Sequence, residues 1–201
     1  MSGPHRVIKV CRCSIGAWVL LGLFHSHDLL ANSTLATTDS IFQAIHTQPL
    51  GPIHFKETRT LKALKSPLLS EGILEFFPPE TLVKHIRAPQ AVRYELSPSE
   101  IRVTDETRGD TKSLPTEAIP ELGIIAESLI DLLTADKAGL EGRWLLSIGG
   151  SMQKWHLALT PRDNGTSAIR LVTFDGQGGR ISKIHILQAD DSESDLVLSL
   201  P

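Results

Sequence analysis

Apolar positions along the chain recur with two different periods. Between residues 53 and 106 they alternate in short runs, 53–61, 68–77, 81–87, 91–97 and 100–106, separated by prolines at 67, 78, 79, 89 and 98. Alternation with period two marks strands with one face on a core and one toward water. Short strands at this spacing, each broken by turn residues, predict an antiparallel meander. The run 68–77 departs from strict alternation. Leu68, Ser70, Gly72, Leu74 and Phe76 fall on one face, while Leu69, Ile73 and Phe77 share the other with Glu71 and Glu75. That is more apolar surface than a single core contact needs.

The period then changes. From residue 119 to 142, Leu122, Ile125, Leu129, Leu132 and Leu133 take helical spacing behind Pro120, with Glu121, Glu127 and Asp131 off the stripe. This predicts an amphipathic helix of about four turns and a smaller piece after Thr134. A shorter helix is expected over 37–49, with Thr38 or Asp39 as its cap and Ile41, Phe42 and Ile45 on one side. Strands resume at 143–151, 153–161, 167–176 and 179–188, with turns expected at Gly149-Gly150 and across 175–179. The expected total is nine to eleven strands, a mainly β protein of the α+β class.

The first 36 residues differ in kind. His5, Arg6, Lys9 and Arg12 precede an unbroken apolar run, 14–24, and small residues follow at 32–36. This is the pattern of a signal peptide, and the run is short of the ~20 residues a membrane span takes. Cleavage is expected after Ala36 or Ala31, with residues 37–201 forming one secreted domain; the uncleaved alternative is an N-terminal anchor. Both cysteines, Cys11 and Cys13, lie in the leader, as do His25 and His27. The mature chain therefore has no thiol, and a packed core rather than disulfides must hold it. Removing the leader leaves 17 basic against 22 acidic side chains. That balance carries no electrostatic footprint for nucleic acid.

No catalytic constellation is legible. The segment 175–179 lacks the lysine and following helix of a phosphate loop. The acidic segment 188–195 lacks the glycine and spacing of a helix–loop–helix calcium site and reads as a solvated turn. Asn164 begins a glycosylation tripeptide in a loop. The histidines at 46, 54, 85, 156 and 185 have no metal-ligand spacing, and no serine sits in a G-x-S-x-G elbow. The expectation is a protein that is not an enzyme and uses neither metal nor cofactor.

A sheet with a broad apolar face under an amphipathic helix is either a sealed core or a container. Strands rich in Leu, Ile and Val with few aromatics favour a container, and each methylene buried in one contributes about 0.8 kcal/mol. On this reading the cavity is lined by Phe55, Leu74, Phe76, Leu82, Leu132, Leu133, Trp144 and Trp155.

The order of several motifs carries a resemblance. Phe55 and Glu57 in a first strand, a turn at 61–67, Gly72 in a second strand, then Pro79 and Leu82, are similar to the start of the LolA-like family of periplasmic outer-membrane lipoprotein carriers. The later GRWLLSIGGSMQKWHLALTPRD and ISKIHILQADDSESDLVLS are similar to its divergent branch. The resemblance implies a half-open antiparallel β-barrel with helices covering its concave face. It also implies a monomeric periplasmic carrier that moves an acylated lipoprotein or other lipid from an inner-membrane donor to an outer-membrane acceptor, through transient contacts with membrane proteins. Two positions depart from the pattern: Pro78 stands where the family has the arginine that latches the lid, and Leu82 where it has an aromatic. The alternative is a periplasmic sensor or interaction domain that uses the same half-barrel to bind a partner protein or lipid signal without transport.

Overall fold

Eleven strands form one antiparallel sheet in a computed structural model that describes residues 35–49, 51–163 and 167–199. Cys11, Cys13, the apolar run 14–24, the histidines at 25 and 27, and the Asn164 tripeptide lie outside the described residues.

The first six strands are a meander: β1 Ile53–Thr60, β2 Leu68–Phe77, β3 Thr81–Ala88, β4 Val92–Leu96, β5 Glu100–Asp105 and β6 Asp110–Pro115. After the helices come β7 Trp144–Ser151, β8 Lys154–Pro161, β9 Ile169–Gln177, β10 Arg180–Gln188 and β11 Glu193–Ser199. The spatial order is β6-β5-β4-β3-β2-β1-β11-β10-β9-β8-β7, so the first and last strands pair at the centre. Phe55 lies opposite Leu198 there. The edges, β6 and β7, are not joined, and the sheet is a half-open barrel.

Helix α1 (Thr38–His46) is capped by Thr37, one residue before the expected caps. Its Oγ1 accepts from the Ser40 amide at 3.2 Å, and Ser40 Oγ accepts from the Thr37 amide at 2.9 Å. The chain prefers this capping box because both orphan amides are satisfied at once. Ile41, Phe42 and Ile45 are its buried side. Helix α2 (Pro120–Thr134) is the long amphipathic one and α3 (Lys137–Arg143) the smaller piece, capped by Asp136. Both α1 and α2 pack on the inner face, α2 against β3, β4 and β9. Leu129, Ile130 and Leu132 of α2 meet Phe55, Leu82, Leu96 and Phe174 from the sheet in one continuous core.

The outer face of β2 stays in water. Leu69 is 66% exposed and Phe77 48%, whereas Leu74 on the inner face is 7% exposed. Only one of the two apolar faces of 68–77 therefore meets a core.

Two local expectations are corrected. Gly149-Gly150 is not the hairpin turn: both lie within β7, opposite His156 and Trp155, and the chain turns at Met152 and Gln153. Gly150 has φ of +91°, and a Cβ on it would stand 2.2 Å from the Lys154 carbonyl oxygen. Gly150 allows a close strand end rather than a reversal. Strand β6 was not anticipated, because every residue of DTKSLP but Leu114 is exposed and an uncovered edge strand has no alternation to show. Its charges and terminal proline guard that edge against further pairing.

Candidate functional site

Between the helices and the inner face lies an open cavity of about 950 Å³, at the upper end of the range usual for ligand pockets, ~300–1,000 Å³. Ile53 of β1, Leu74 and Phe76 of β2, Leu82 of β3 and Leu198 of β11 form its wall; Ile45 of α1 and Leu129 and Leu133 of α2 roof it. Strand pairing sets the wall in rows: Ile53 stands opposite Leu74, and Phe76 opposite Leu82. The mouth is polar and built from the β9–β10 hairpin, residues 177–182, with Gln48, Pro49, Gly51 and Pro52 after α1.

The hairpin at the mouth is held on two sides. A Cβ on Gly179 would stand 2.0 Å from the Ala44 carbonyl oxygen, so the turn lies directly on the end of α1. The Trp155 indole covers Gly176, its cross-strand partner, and Nε1 donates to the Gly178 carbonyl at 2.8 Å.

The residues named from sequence divide into two groups. Leu74, Phe76 and Leu82 come together on the cavity wall, with Leu133 on its roof. Phe55, Leu132, Trp144 and Trp155 lie in the core around it, each at most 2% exposed. Trp155 braces the mouth hairpin from behind. The Trp144 Nε1 is buried without a hydrogen-bond partner among the described residues. The roof and mouth residues Ile45, Leu129, Gln177 and Arg180 went unnamed. Ile45 and Leu129 did carry a signal, since each sits on a recognised helical stripe; nothing local marks the other two.

Next to the wall is a polar group that the sequence did not disclose. Glu57, in phase with Ile53 and Phe55, accepts from Lys84 Nζ at 2.7 Å, from Ser194 Oγ at 2.7 Å and from Ser70 Oγ at 2.9 Å. The carboxylate and ammonium side chains are 11% and 16% exposed. Burial alone pushes the Glu57 carboxyl up; the Lys84 charge and the bonds from Lys84, Ser194 and Ser70 outweigh it and hold the group below the usual glutamate range.

The profile of the family described as outer membrane lipoprotein carrier protein LolA-like matches residues 31–193. The chain belongs to the LolA-like family. A search of curated proteins finds no match. Solved structures similar to this LolA-like chain include a LolA superfamily protein from Nitrosomonas europaea, at 11% identity and a TM-score of 0.45 over 81% of this chain and 90% of that one. An uncharacterized conserved protein from Thermus thermophilus gives 11% identity and a TM-score of 0.44 over 81% and 85%. A DUF1329 family protein from Desulfovibrio piger gives 8% and 0.41 over 81% and 89%.

In this LolA-like chain the roof helix ends in an acidic knot. Arg143 of α3 contacts Asp131 and approaches Glu127 at 3.7 Å. Burial pushes the Asp131 carboxyl up to about 6; Arg143 opposes this, and Asp136 and Glu127 add to it. A carboxyl whose folded pKa is raised binds more protons folded than unfolded, so stability falls as pH rises from ~4 through ~6. Lowering the pH from 7.5 to 5 is therefore expected to raise the native melting temperature by about 2 °C, a modest figure because the carboxyl is partly screened by solvent. Asp131→Asn is expected to remove that rise. Melting curves of both proteins at the two pH values check it, and an unchanged rise in the variant would count against Asp131 as its source.

Proposed function

We propose that this protein is a periplasmic carrier that holds the acyl part of a lipoprotein or another lipid in the cavity and moves it toward the outer membrane. The observation that carries the reading is the cavity itself, an apolar wall of Leu74, Phe76, Leu82 and Leu198 under α2 with a polar mouth. The LolA-like family is a family of carriers, and its fold is a binding fold. Hydrocarbon buried there contributes about 0.8 kcal/mol per methylene, enough for a long chain to be retained in water after ordering costs. In this reading the protein is a monomer without cofactor or catalytic residues. It takes cargo from an inner-membrane donor and gives it to an outer-membrane acceptor.

In this reading the N-terminal segment is a leader, ending at Ala36 or at Ala31, and the remainder is the carrier domain. Leu35 bridges Ser151, and the Ala36 amide donates to the Gly150 carbonyl at 3.1 Å. These contacts support cleavage after Ala31 over cleavage after Ala36, since only the former keeps them; the intact mass of the secreted protein distinguishes the two.

Native mass spectrometry of protein purified from the periplasm without detergent tests the carrier reading. A discrete mass excess that yields an acylated molecule on extraction is the expected result. A bare polypeptide that binds no fluorescent fatty acid would overturn it. A second reading, a sensor or interaction domain without transport, is favoured by Leu64, Leu68 and Leu69, which are 46%, 48% and 66% exposed around the β1–β2 turn. A carrier releases its lipid to acceptor vesicles, whereas a sensor keeps a stable partner, so a transfer assay and a pull-down separate the two.

A further inference from the structure

The inner face beside the cavity carries a buried ion pair, Lys84 with Glu57, whose position stability does not explain. Ile53, Leu74 and Lys84 stand in a single transverse row, and Ile53 and Leu74 are both cavity wall. Lys84 also follows Leu82, another wall residue, by two positions, and so springs from the same face. Its ammonium does not remain in that row. It crosses the next one, where Phe55 faces Gly72, and lies 5.1 Å from the Phe55 ring centre on its way to Glu57.

A buried ion pair is a poor source of stability, since well-packed apolar residues of similar volume do as well or better. An ammonium has three donors. Glu57 takes one and the Phe55 ring faces the group, which leaves donor capacity that no other contact among the described residues uses, on a side chain rooted in the wall row. Glu57, for its part, keeps two hydroxyl donors, Ser70 and Ser194, when Lys84 turns away. The pair is thus built so that the lysine can exchange one oxygen partner for another without stranding a bare carboxylate.

We propose that Lys84 anchors the carbonyl end of the bound lipid, donating to a carboxylate or ester oxygen of a long acyl chain whose hydrocarbon lies against Leu74, Phe76 and Leu82, with Glu57 holding the ammonium when the cavity is empty. This inference rests on the carrier reading and adds to it the chemistry at one end of the ligand. An apolar wall alone selects chain length. A cation placed beside that wall selects an oxygen acceptor, and a charge-assisted bond in so dry a place favours a free carboxylate over an ester.

Displacement of the neutral fluorophore N-phenyl-1-naphthylamine from the purified protein by palmitate, methyl palmitate and hexadecane tests this. Palmitate is expected to bind about tenfold more tightly than hexadecane, with the ester between them. Glu57→Gln frees the ammonium and is expected to tighten palmitate several-fold while leaving hexadecane unchanged, a result that a purely structural ion pair would not give. Lys84→Met combined with Glu57→Gln removes both charges together, so the fold is not left with a lone buried ion, and is expected to bind all three at the hexadecane level. Equal binding of the three by the native protein, or no effect of Glu57→Gln on palmitate, would overturn the anchor while leaving the carrier reading in place. Failure of the native protein to bind the fluorophore or any of the three would overturn both.

Discussion

Gly72→Ala is expected to destabilise the protein by about 3 kcal/mol or more, lowering its melting temperature by roughly 6–12 °C. A Cβ at this position would stand 1.9 Å from the His85 carbonyl oxygen, 2.9 Å from its carbon and 3.0 Å from the Ile86 Cα. All three atoms are backbone of the neighbouring strand, so no side chain can rotate aside. The crowding comes from a register shift: Glu71 pairs with Ala88 but Gly72 with Ile86, which leaves one extra residue in β3. The same glycine faces Phe55 on the inner side, in the row that Lys84 crosses. Gly51→Ala is the matched control, because nothing lies within 4 Å of a Cβ there, and it should melt with the native protein. A Gly72→Ala protein that melts within a degree or two of native would show that β2 and β3 do not approach so closely.

The second large effect concerns the cavity. Leu74→Glu or Leu133→Glu is expected to weaken uptake of a fluorescent fatty acid by about a hundredfold or more, since each places a carboxylate where hydrocarbon must lie. Leu74 is 7% exposed on the wall, so its variant also challenges the fold. Leu133 is only half-buried on α2 and offers the safer test. Leu145→Glu on the edge strand β7, where the native side chain is 50% exposed, should bind as the native protein does. Unchanged affinity in a folded Leu133→Glu protein would remove the cavity from the mechanism.

Much of this architecture could be read from the chain, and the reason differs from element to element. Strands β1 and β3 to β5 were legible as short apolar-patterned runs between turn residues, β2 was legible despite apolar residues on both faces, and α2 shows its stripe because it lies between the core and solvent. Strand β6 has no buried face and left no pattern. The choice between wall and core within one apolar face depends on where helices stop covering the sheet, and periodicity carries no record of that. Leu74 and Phe55 lie on the same face of neighbouring strands, yet one reaches the cavity and the other is sealed beneath it. Glu57 and Lys84 were each visible as charges in phase with apolar neighbours. Their partnership depends on the register of β1, β2 and β3, and local sequence does not encode register across three strands.

The pairing of β1 with β11 also bears on how the chain acquires its shape. Strands β1 to β6 can zip as soon as they are released from the ribosome, because each contacts its neighbour in sequence. The sheet stays in two pieces until residues 193–199 arrive, since Phe55 waits for Leu198. Until then the exposed side of β1 is an open template for any other extended chain. A closure that spans nearly the whole polypeptide is slow, on the scale of milliseconds to seconds for sheets of this kind. The last strand therefore sets the moment at which two independent meanders become one vessel, and a chain truncated before it would present a sticky half-sheet in place of a container.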